Sequence, residues 1–154
     1  MRFEINSIAT VINDRKTITD DFWGDVVSEI KLNDDIPAEA LDGIEDFSHA
    51  EIIYVFDKAI NDKVVMSSAH PRENKAWPKV GIFAQRKKNR PNFLGATICK
   101  IIKREGRSLF VQMLDAIDGT PVVDIKPVMK EFLPDTEIKQ PSWTNELMKD
   151  YWKK

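Results

Sequence analysis

The sequence predicts an all-β or β-rich α+β fold, namely a small single-domain β-barrel with short helices and a C-terminal helix. The 154-residue chain carries many short apolar runs, each bounded by Gly, Pro or charged residues. Patterns with helical spacing are almost confined to the C-terminus. Many short strands with few long helices favour a barrel or a sandwich. Because about 100–200 residues make one domain, we expect a single domain over residues 1–154.

Three strands and one short helix are predicted in the first part of the chain. Residues 3–12 alternate enough in hydrophobicity for a strand, and residues 25–32 form a second apolar run. Residues 50–56 give the clearest strand, because they are β-branched and aromatic with a single charge. Pro37 can begin a short helix over residues 38–41, since the first helical turn does not need its N–H group.

Shorter apolar runs follow, and each ends at Gly, Pro or charged residues. We expect strands at residues 64–67, 80–84, 96–102, 108–114 and 122–125.

An amphipathic helix is predicted at the C-terminus. Trp143, Leu147 and Tyr151 repeat every four residues, and neighbouring apolar residues widen the stripe. Ser142 can cap this helix at its N-terminus. The stripe is typical of a helix packed on the barrel, and the alternative is a helix that binds a partner.

Charge and cysteine content restrict the classes of function. The net charge of −2 leaves no overall basic surplus, so contact with nucleic acid would depend on a local basic patch. The single cysteine, Cys99, cannot form a disulfide within the chain and fits a reducing compartment. The N-terminus lacks the apolar core of a signal peptide, and no apolar run approaches the roughly 18 residues that span a bilayer. We therefore expect a cytoplasmic protein without a membrane span.

A basic loop follows the apolar run at residues 80–84. It carries Arg86, Lys87, Lys88 and Arg90, and it ends at Pro91-Asn92, which restrict and turn the backbone. Such a loop is either a solvated connection or a surface that contacts the phosphates of a ligand.

Asp118-Gly119 lies between two apolar runs, which predicts a β-hairpin turn. The turn is either only a connection or a ligand site. Thr120 and Pro121 favour a ligand site slightly, because such a turn exposes backbone N–H and C=O groups.

Other sites receive little support from the residues alone. His49 and His70 with one distant cysteine do not form a zinc pattern, so no metal is expected. His70 is more typical of a residue that fixes a loop, and Cys99 of a core residue. No Gly-rich phosphate loop, dinucleotide fingerprint or nucleophile elbow occurs.

Several motifs, in order, resemble a known family. They are His70-Pro71-Arg72, the run Val80-Gly81-Ile82-Phe83-Ala84-Gln85-Arg86, Arg90-Pro91-Asn92, Gly95, and residues 114–127 around Asp118. Upstream, residues 43–49 resemble the family's Phe-Ser-His segment. On these motifs the chain is similar to the TrmO family, also called TsaA-like or YaeB-like, over roughly residues 41–127.

The resemblance implies a methyltransferase that uses S-adenosyl-L-methionine on a small β-barrel, usually a homodimer. The implied substrate is tRNA, at the N6 atom of a threonylcarbamoyl-modified adenosine beside the anticodon. The implied cofactor-binding residues are Asp57, Lys58, Arg86, Ala96, Asp118, Gly119, Thr120 and Pro121. The implied substrate-binding residues are His70, Arg72, Lys87, Lys88, Arg90 and Asn92.

The chain departs from the family pattern at Asp57-Lys58, Lys87-Lys88, Phe93-Leu94, Ala96-Thr97 and Val128. The catalytic residues are not identified, and Asp115, Asp118 and His70 are the candidate proton acceptors. Two alternatives remain. One is a methyltransferase acting on a small molecule or another RNA, and the other is a non-catalytic module that binds S-adenosylmethionine.

Overall fold

Six antiparallel strands close into a barrel in the computed structural model, which describes residues 1–154. The strands of the chain are β1 (Ala9–Ile12), β2 (Val27–Leu32), β3 (His49–Val55), β4 (Ser68–Ala69), β5 (Val80–Gly81), β6 (Leu94–Glu105), β7 (Ser108–Gln112) and β8 (Pro121–Pro127). Around the barrel the order is β1, β2, β7, β6, β3 and β8, which pairs again with β1. The predicted barrel is thus confirmed.

Alternating side chains fill the barrel. In β3, Ala50, Ile52 and Tyr54 are buried, whereas the residues between them are half-exposed. This period of two is what a strand with one face on the core requires. The other strands contribute in the same way, and the core of 14 buried residues includes Val11, Ile30, Cys99, Leu109, Val111 and Val122.

Some predicted elements differ from the structure. No strand covers residues 3–8 or 64–67, and the predicted strand at residues 80–84 is two residues long before a 3₁₀ turn, Ile82–Ala84. That turn points Ile82 into the interior, and β5 pairs with β4 in a two-stranded sheet outside the barrel. A short apolar run does not distinguish a strand from a buried turn. The short helix predicted at residues 38–41 is present as a 3₁₀ turn, Ala38–Leu41.

The C-terminal helix α1 (Ser142–Leu147) is shorter than the apolar stripe. Pro141, and not Ser142, occupies the N-cap position, and no side chain caps the helix. Tyr151 lies beyond the helix, in a turn whose backbone carbonyl accepts a hydrogen bond from the N–H of Trp23 at 2.8 Å. No helix of the structure has the length and apolar character needed to cross a membrane.

Replacement of Gly95 is expected to destabilise the barrel. Gly95 pairs with Tyr54 across β3 and β6, and a Cβ atom at Gly95 would lie 2.4 Å from the ring of the buried Tyr54. We expect Gly95→Ala to lower the free energy of unfolding by about 1–3 kcal/mol, because the ring must move within a packed core. Denaturant titration measures this change. The control is Gly81→Ala, where an added Cβ meets nothing within 4 Å; an equal loss in both variants would contradict the packing argument.

Candidate functional site

Three connections of the barrel lie at one end, whereas connection 33–48 lies at the other. Because β1 finishes beside the start of β2, and β3 beside the start of β6, connections 13–26 and 56–93 leave the same end. Connection 113–120 joins them there, since β8 starts beside the last residues of β1 and β3. We call this the loop end, formed by residues 13–26, 56–93 and 113–120. Every predicted site residue except Ala96 and Pro121 lies in these connections, and those two stand at the starts of β6 and β8.

Unusual backbone conformations are concentrated at the loop end. Five non-glycine residues have positive φ, namely Phe22, Arg72, Glu73, Phe93 and Met113, and all five belong to its connections. A left-handed conformation costs a non-glycine residue roughly 1–3 kcal/mol, and such residues cluster at ligand sites. This clustering marks the loop end as the candidate functional site.

Arg86 and Ala96, two of the predicted cofactor-binding residues, are in direct contact. The Arg86 Nη2 atom donates to the backbone carbonyl of Ala96 at 2.6 Å. The guanidinium remains exposed, so its other N–H groups face solvent. The pair therefore places a cation at the start of β6.

Asp57 and Lys58 are placed at the same end but form no hydrogen bond with Arg86. They lie in a 3₁₀ turn, Asp57–Ala59, immediately after β3, and pair with each other at 3.5 Å. The carboxylate of Asp57 is 29% exposed, so it is accessible to a cationic ligand.

The Asp118 turn is not a hairpin, because β7 and β8 are not neighbours in the barrel. Instead the turn binds β1 and the residues that follow it. The N–H groups of Asp118 and Gly119 donate to the carbonyls of Arg15 and Val11, each at 2.8 Å. The predicted free backbone N–H groups of this turn are thus engaged inside the protein.

The side chains of the same turn are also occupied. The Asp118 carboxylate accepts from the Asn13 N–H at 3.0 Å and from Lys16 Nζ at 2.8 Å. These two partners, Lys16 above all, hold the pKa of Asp118 below its usual value. Thr120 is buried and donates its hydroxyl to the Ile117 carbonyl at 2.7 Å. Pro121 begins β8 beside Thr10.

The basic loop divides into fixed and free cations. Arg90 donates to the Gln85 carbonyl at 2.8 Å and so fixes the loop. Lys87 and Lys88 are half-buried and form no ion pair, and Asn92 is exposed. The buried Asn89 Oδ1 atom has no hydrogen-bond partner within the protein.

His70 and Arg72 have structural contacts as well. The Nδ1 atom of His70 donates to the Trp77 carbonyl at 2.6 Å, so His70 fixes its loop. Arg72 forms a two-pronged ion pair with Asp21, at 2.8 and 3.1 Å. A polar concavity of ≈ 300 Å³ lies beside His70, and Lys75 and Lys79 are among its lining residues.

A hydrogen-bonded cluster around Asp115 was not predicted as a binding site. Its Oδ1 atom accepts from the hydroxyls of Tyr54, at 3.0 Å, and Thr97. Its Oδ2 atom accepts from the hydroxyl of Tyr151. From the sequence, Asp115 was named only as a candidate proton acceptor, three residues before Asp118. No local pattern in the sequence connects it with Tyr54 or Tyr151.

An apolar cavity of ≈ 380 Å³ lies away from these residues. It is at the opposite end of the barrel and is lined mostly by apolar side chains, among them Leu41, Ile44, Phe47 and Ile125. Its lining contains no basic side chain, so it offers no cation to an anionic ligand. No group of three or more His, Cys, Asp and Glu side chains is arranged to hold a metal ion.

The chain is similar to a known protein family and to curated relatives. The family model of the tRNA-methyltransferase O N-terminal domain matches residues 18–133. A tRNA (adenine(37)-N6)-methyltransferase of Mus musculus is 41% identical over 96 residues, covering 62% of this chain and 22% of that protein. An S-adenosyl-L-methionine-binding protein of Archaeoglobus fulgidus is 37% identical over 109 residues, covering 71% of this chain and 74% of that protein.

A solved structure has the same fold. The crystal structure of TrmO from Pseudomonas aeruginosa superposes with a TM-score of 0.70 at 23% identity, covering 89% of this chain and 61% of that chain. The chain therefore spans less than a quarter of the mammalian relatives that it matches and under two thirds of the bacterial structure.

The Asp115 cluster predicts the titration of both tyrosines. Burial raises the pKa of Tyr54 and of Tyr151 far above the usual 10.0, and the Asp115 carboxylate adds to the rise. Above pH 10 the unfolded tyrosines lose protons that the folded ones keep, so the free energy of unfolding falls as the pH rises. We expect no tyrosinate absorbance from the folded protein at pH 10. After denaturation at the same pH we expect about one equivalent, since each of the two tyrosines is then half ionised. One equivalent appearing near pH 10 in the folded protein would contradict the cluster.

Proposed function

The chain belongs to the family of the tRNA-methyltransferase O N-terminal domain, and on this basis we propose that it is an S-adenosyl-L-methionine-dependent tRNA adenine-N6 methyltransferase. The relatives named for this activity and for this cofactor support the proposal. The structural observation that carries it is the exposed Arg86 guanidinium fixed at the start of β6, beside a basic loop with two free lysines.

The loop end suits the chemical groups of the cofactor. Arg86 can bind its carboxylate, and Ala96 and Pro121 offer backbone and apolar contact for its adenine. Asp57, whose carboxylate is partly exposed, can offset the positive charge of its sulfonium. When bound, S-adenosylmethionine supplies a methyl group already activated by that charge, so the residues of the chain mainly align the reacting groups.

The Asp118 turn has a supporting role in this proposal. Its N–H groups and side chains bind the segment after β1, so Asp118, Gly119 and Thr120 shape the wall of the cofactor site and offer it few free donors. Lys58 pairs with Asp57 at 3.5 Å and can contact the cofactor together with it.

The basic loop is suited to RNA. Lys87 and Lys88 have no acidic partner, and they follow the cofactor-binding Arg86 directly. Lysines contribute to RNA affinity by releasing condensed counterions from phosphates. His70, Arg72, Arg90 and Asn92 would hold the surrounding loops in the arrangement that the substrate meets. The finer assignment, a threonylcarbamoyl-modified adenosine beside the tRNA anticodon, follows from the family resemblance of residues 70–127.

We further propose a cytoplasmic homodimer. The single cysteine is free and buried, as a reducing compartment allows. Large apolar side chains are exposed, among them Phe83 at 77% and Phe132 at 86%, and a subunit interface would cover such surface.

A module that binds S-adenosylmethionine without catalysis is the second candidate. Two relatives from Archaeoglobus fulgidus are named only for binding this cofactor. A methyltransferase acting on a small molecule or another RNA is the third, because Lys87-Lys88 replace the family's usual residues.

Transfer of labelled methyl groups separates these candidates. We expect the protein, incubated with methyl-labelled S-adenosylmethionine and total tRNA, to label an adenosine that nuclease digestion then identifies. Arg86→Ala serves as the cofactor-site control. Cofactor binding by calorimetry without label in RNA would favour the binding module, and label in small metabolites alone would favour another substrate. No binding of the cofactor would reject the methyl-transfer and binding-module proposals together.

Arg86→Ala is expected to weaken S-adenosylmethionine binding by about 10- to 100-fold, because a hydrogen bond to a charged group contributes about 1.5–3 kcal/mol. Calorimetry measures the affinity. Lys31→Ala, at the opposite end of β2, is the matched control and should leave it unchanged. Unaltered affinity in Arg86→Ala would remove this residue from the cofactor site.

The double variant Lys87→Ala, Lys88→Ala is expected to weaken RNA binding and to leave cofactor affinity unchanged. The slope of log affinity against log salt should fall by roughly 1–2, since each lysine accounts for a little under one unit on single-stranded RNA. Filter binding over a range of salt concentrations gives the slope, with Lys31→Ala again as control. Equal losses for cofactor and RNA would contradict this division of roles.

A further inference from the structure

The C-terminal segment, residues 142–154, is fixed against the loop end by its backbone. The N–H groups of Phe22 and Trp23 donate to the carbonyls of Asp150, at 3.1 Å, and Tyr151, at 2.8 Å. The approach is so close that a Cβ atom at Gly24 would lie 2.1 Å from the Trp152 carbonyl oxygen. The segment lies beyond the residues that the family model matches, 18–133, yet it is built into the end that carries the site.

Side chains extend this attachment to the loop of His70. The indole N–H of Trp77 donates to the Glu146 carboxylate at 2.8 Å, and the rings of Trp77 and Trp143 lie 6.3 Å apart. The segment thus contacts two separate connections of the loop end.

The side chain of Tyr151 connects the C-terminal segment to the Asp115 carboxylate through a hydrogen bond. The barrel supplies two hydroxyls to Oδ1, from Tyr54 and Thr97, whereas Oδ2 receives only Tyr151. Since a carboxylate oxygen accepts more than one hydrogen bond, Oδ2 keeps capacity for another donor. Arg72 and Arg86 lie close enough to Tyr151 to oppose the rise in its pKa, which burial and Asp115 cause. The proposed cofactor residue Arg86 therefore lies near the Tyr151 hydroxyl that binds Asp115.

Asp115 is also the best placed of the candidate proton acceptors. Asp118 already binds Lys16 and the Asn13 N–H, which stabilise its charge and weaken it as a base. His70 uses Nδ1 to bind the Trp77 carbonyl. Asp115 alone is held by hydroxyl donors without a cation on its oxygens.

We propose that Tyr151 is a positioning residue that holds the Asp115 carboxylate for the substrate, so that the C-terminal segment completes the functional site. This inference rests on the proposed methyl transfer. In that reaction the substrate nitrogen forms a bond to the methyl carbon, and the carbon–sulfur bond breaks with its electron pair remaining on sulfur. The proton released from the nitrogen passes to Asp115 Oδ2.

The first test is a double-mutant cycle on unfolding with Tyr151→Phe and Asp115→Ala, which needs no substrate. Each single variant breaks the same hydrogen bond, so the double variant loses it only once. We therefore expect the unfolding equilibrium constant of the double variant to rise about tenfold less than the product of the two single effects. Effects that multiply to within twofold would overturn the inference, whatever the catalytic activity.

The second test is the kinetics of methyl transfer. We expect Tyr151→Phe to lower kcat by about tenfold, as for one lost hydrogen bond, while the KM for S-adenosylmethionine stays within twofold. The control is Lys149→Ala, an exposed residue of the same segment, which should keep wild-type kcat. If Asp115→Ala does not fold, the kcat values of Tyr151→Phe and Lys149→Ala still test the positioning role.

The outcomes separate the two proposals. Wild-type kcat in Tyr151→Phe, with an active wild-type protein, would reject the positioning role alone. A raised KM with unchanged kcat would also reject it, since it would mean that the segment only assists cofactor binding. A wild-type protein that transfers no methyl group would reject the proposed function and the role of Tyr151 in it.

Discussion

Hydroxyl groups from three distant parts of the chain donate to the single carboxylate of Asp115. Tyr54 stands on β3, Thr97 on β6 and Tyr151 in the C-terminal segment, and Asp115 itself lies in the connection before β8. A buried hydroxyl without a partner is costly, so the cluster is stable only when all four elements are in place. The Asp115 carboxylate therefore connects the apolar core with the loop end. Burial and Asp115 likewise raise the pKa of the Cys99 thiol, which keeps that residue inert.

The number of basic residues overstates the charge available to a ligand. Arg72 binds Asp21, Arg90 binds the Gln85 carbonyl, and Arg104 binds Asp42 at 2.7 Å. These arginines fix loops, because a planar guanidinium binds several acceptors at once. The free cations of the basic loop are Lys87 and Lys88, together with the exposed face of Arg86. The protein therefore uses arginine largely for its own architecture and lysine for the surface.

The sequence predicts the strands well, because they depend on local hydrophobic periodicity. It predicts the strand pairing poorly, because the pairing depends on how the barrel closes. β3 and β6 were predicted near their observed bounds, because alternating apolar residues need one buried face. The Asp118 turn was wrongly predicted as a hairpin, because barrel order decides which strands pair and Asp-Gly does not encode it. The hydrogen bond between Arg86 and the Ala96 carbonyl was not predicted, although both residues were predicted to bind the cofactor. The Tyr151–Asp115 bond joins residues 36 positions apart and the Tyr54–Asp115 bond residues 61 apart, so neither leaves a local pattern.

The left-handed residues of the loop end have a consequence for how this protein could evolve or be redesigned. Glycine adopts that conformation freely, and substitution to glycine would relieve a folded-state backbone cost of roughly 1–3 kcal/mol. The more flexible unfolded chain would offset about 0.4–1 kcal/mol of it. Phe22 and Phe93 keep bulky aromatic side chains there at φ 66° and 53°. Glycine substitutions at these positions could therefore raise the thermal stability of the protein. Any such gain would also remove aromatic side chains from the end of the barrel that carries the candidate site.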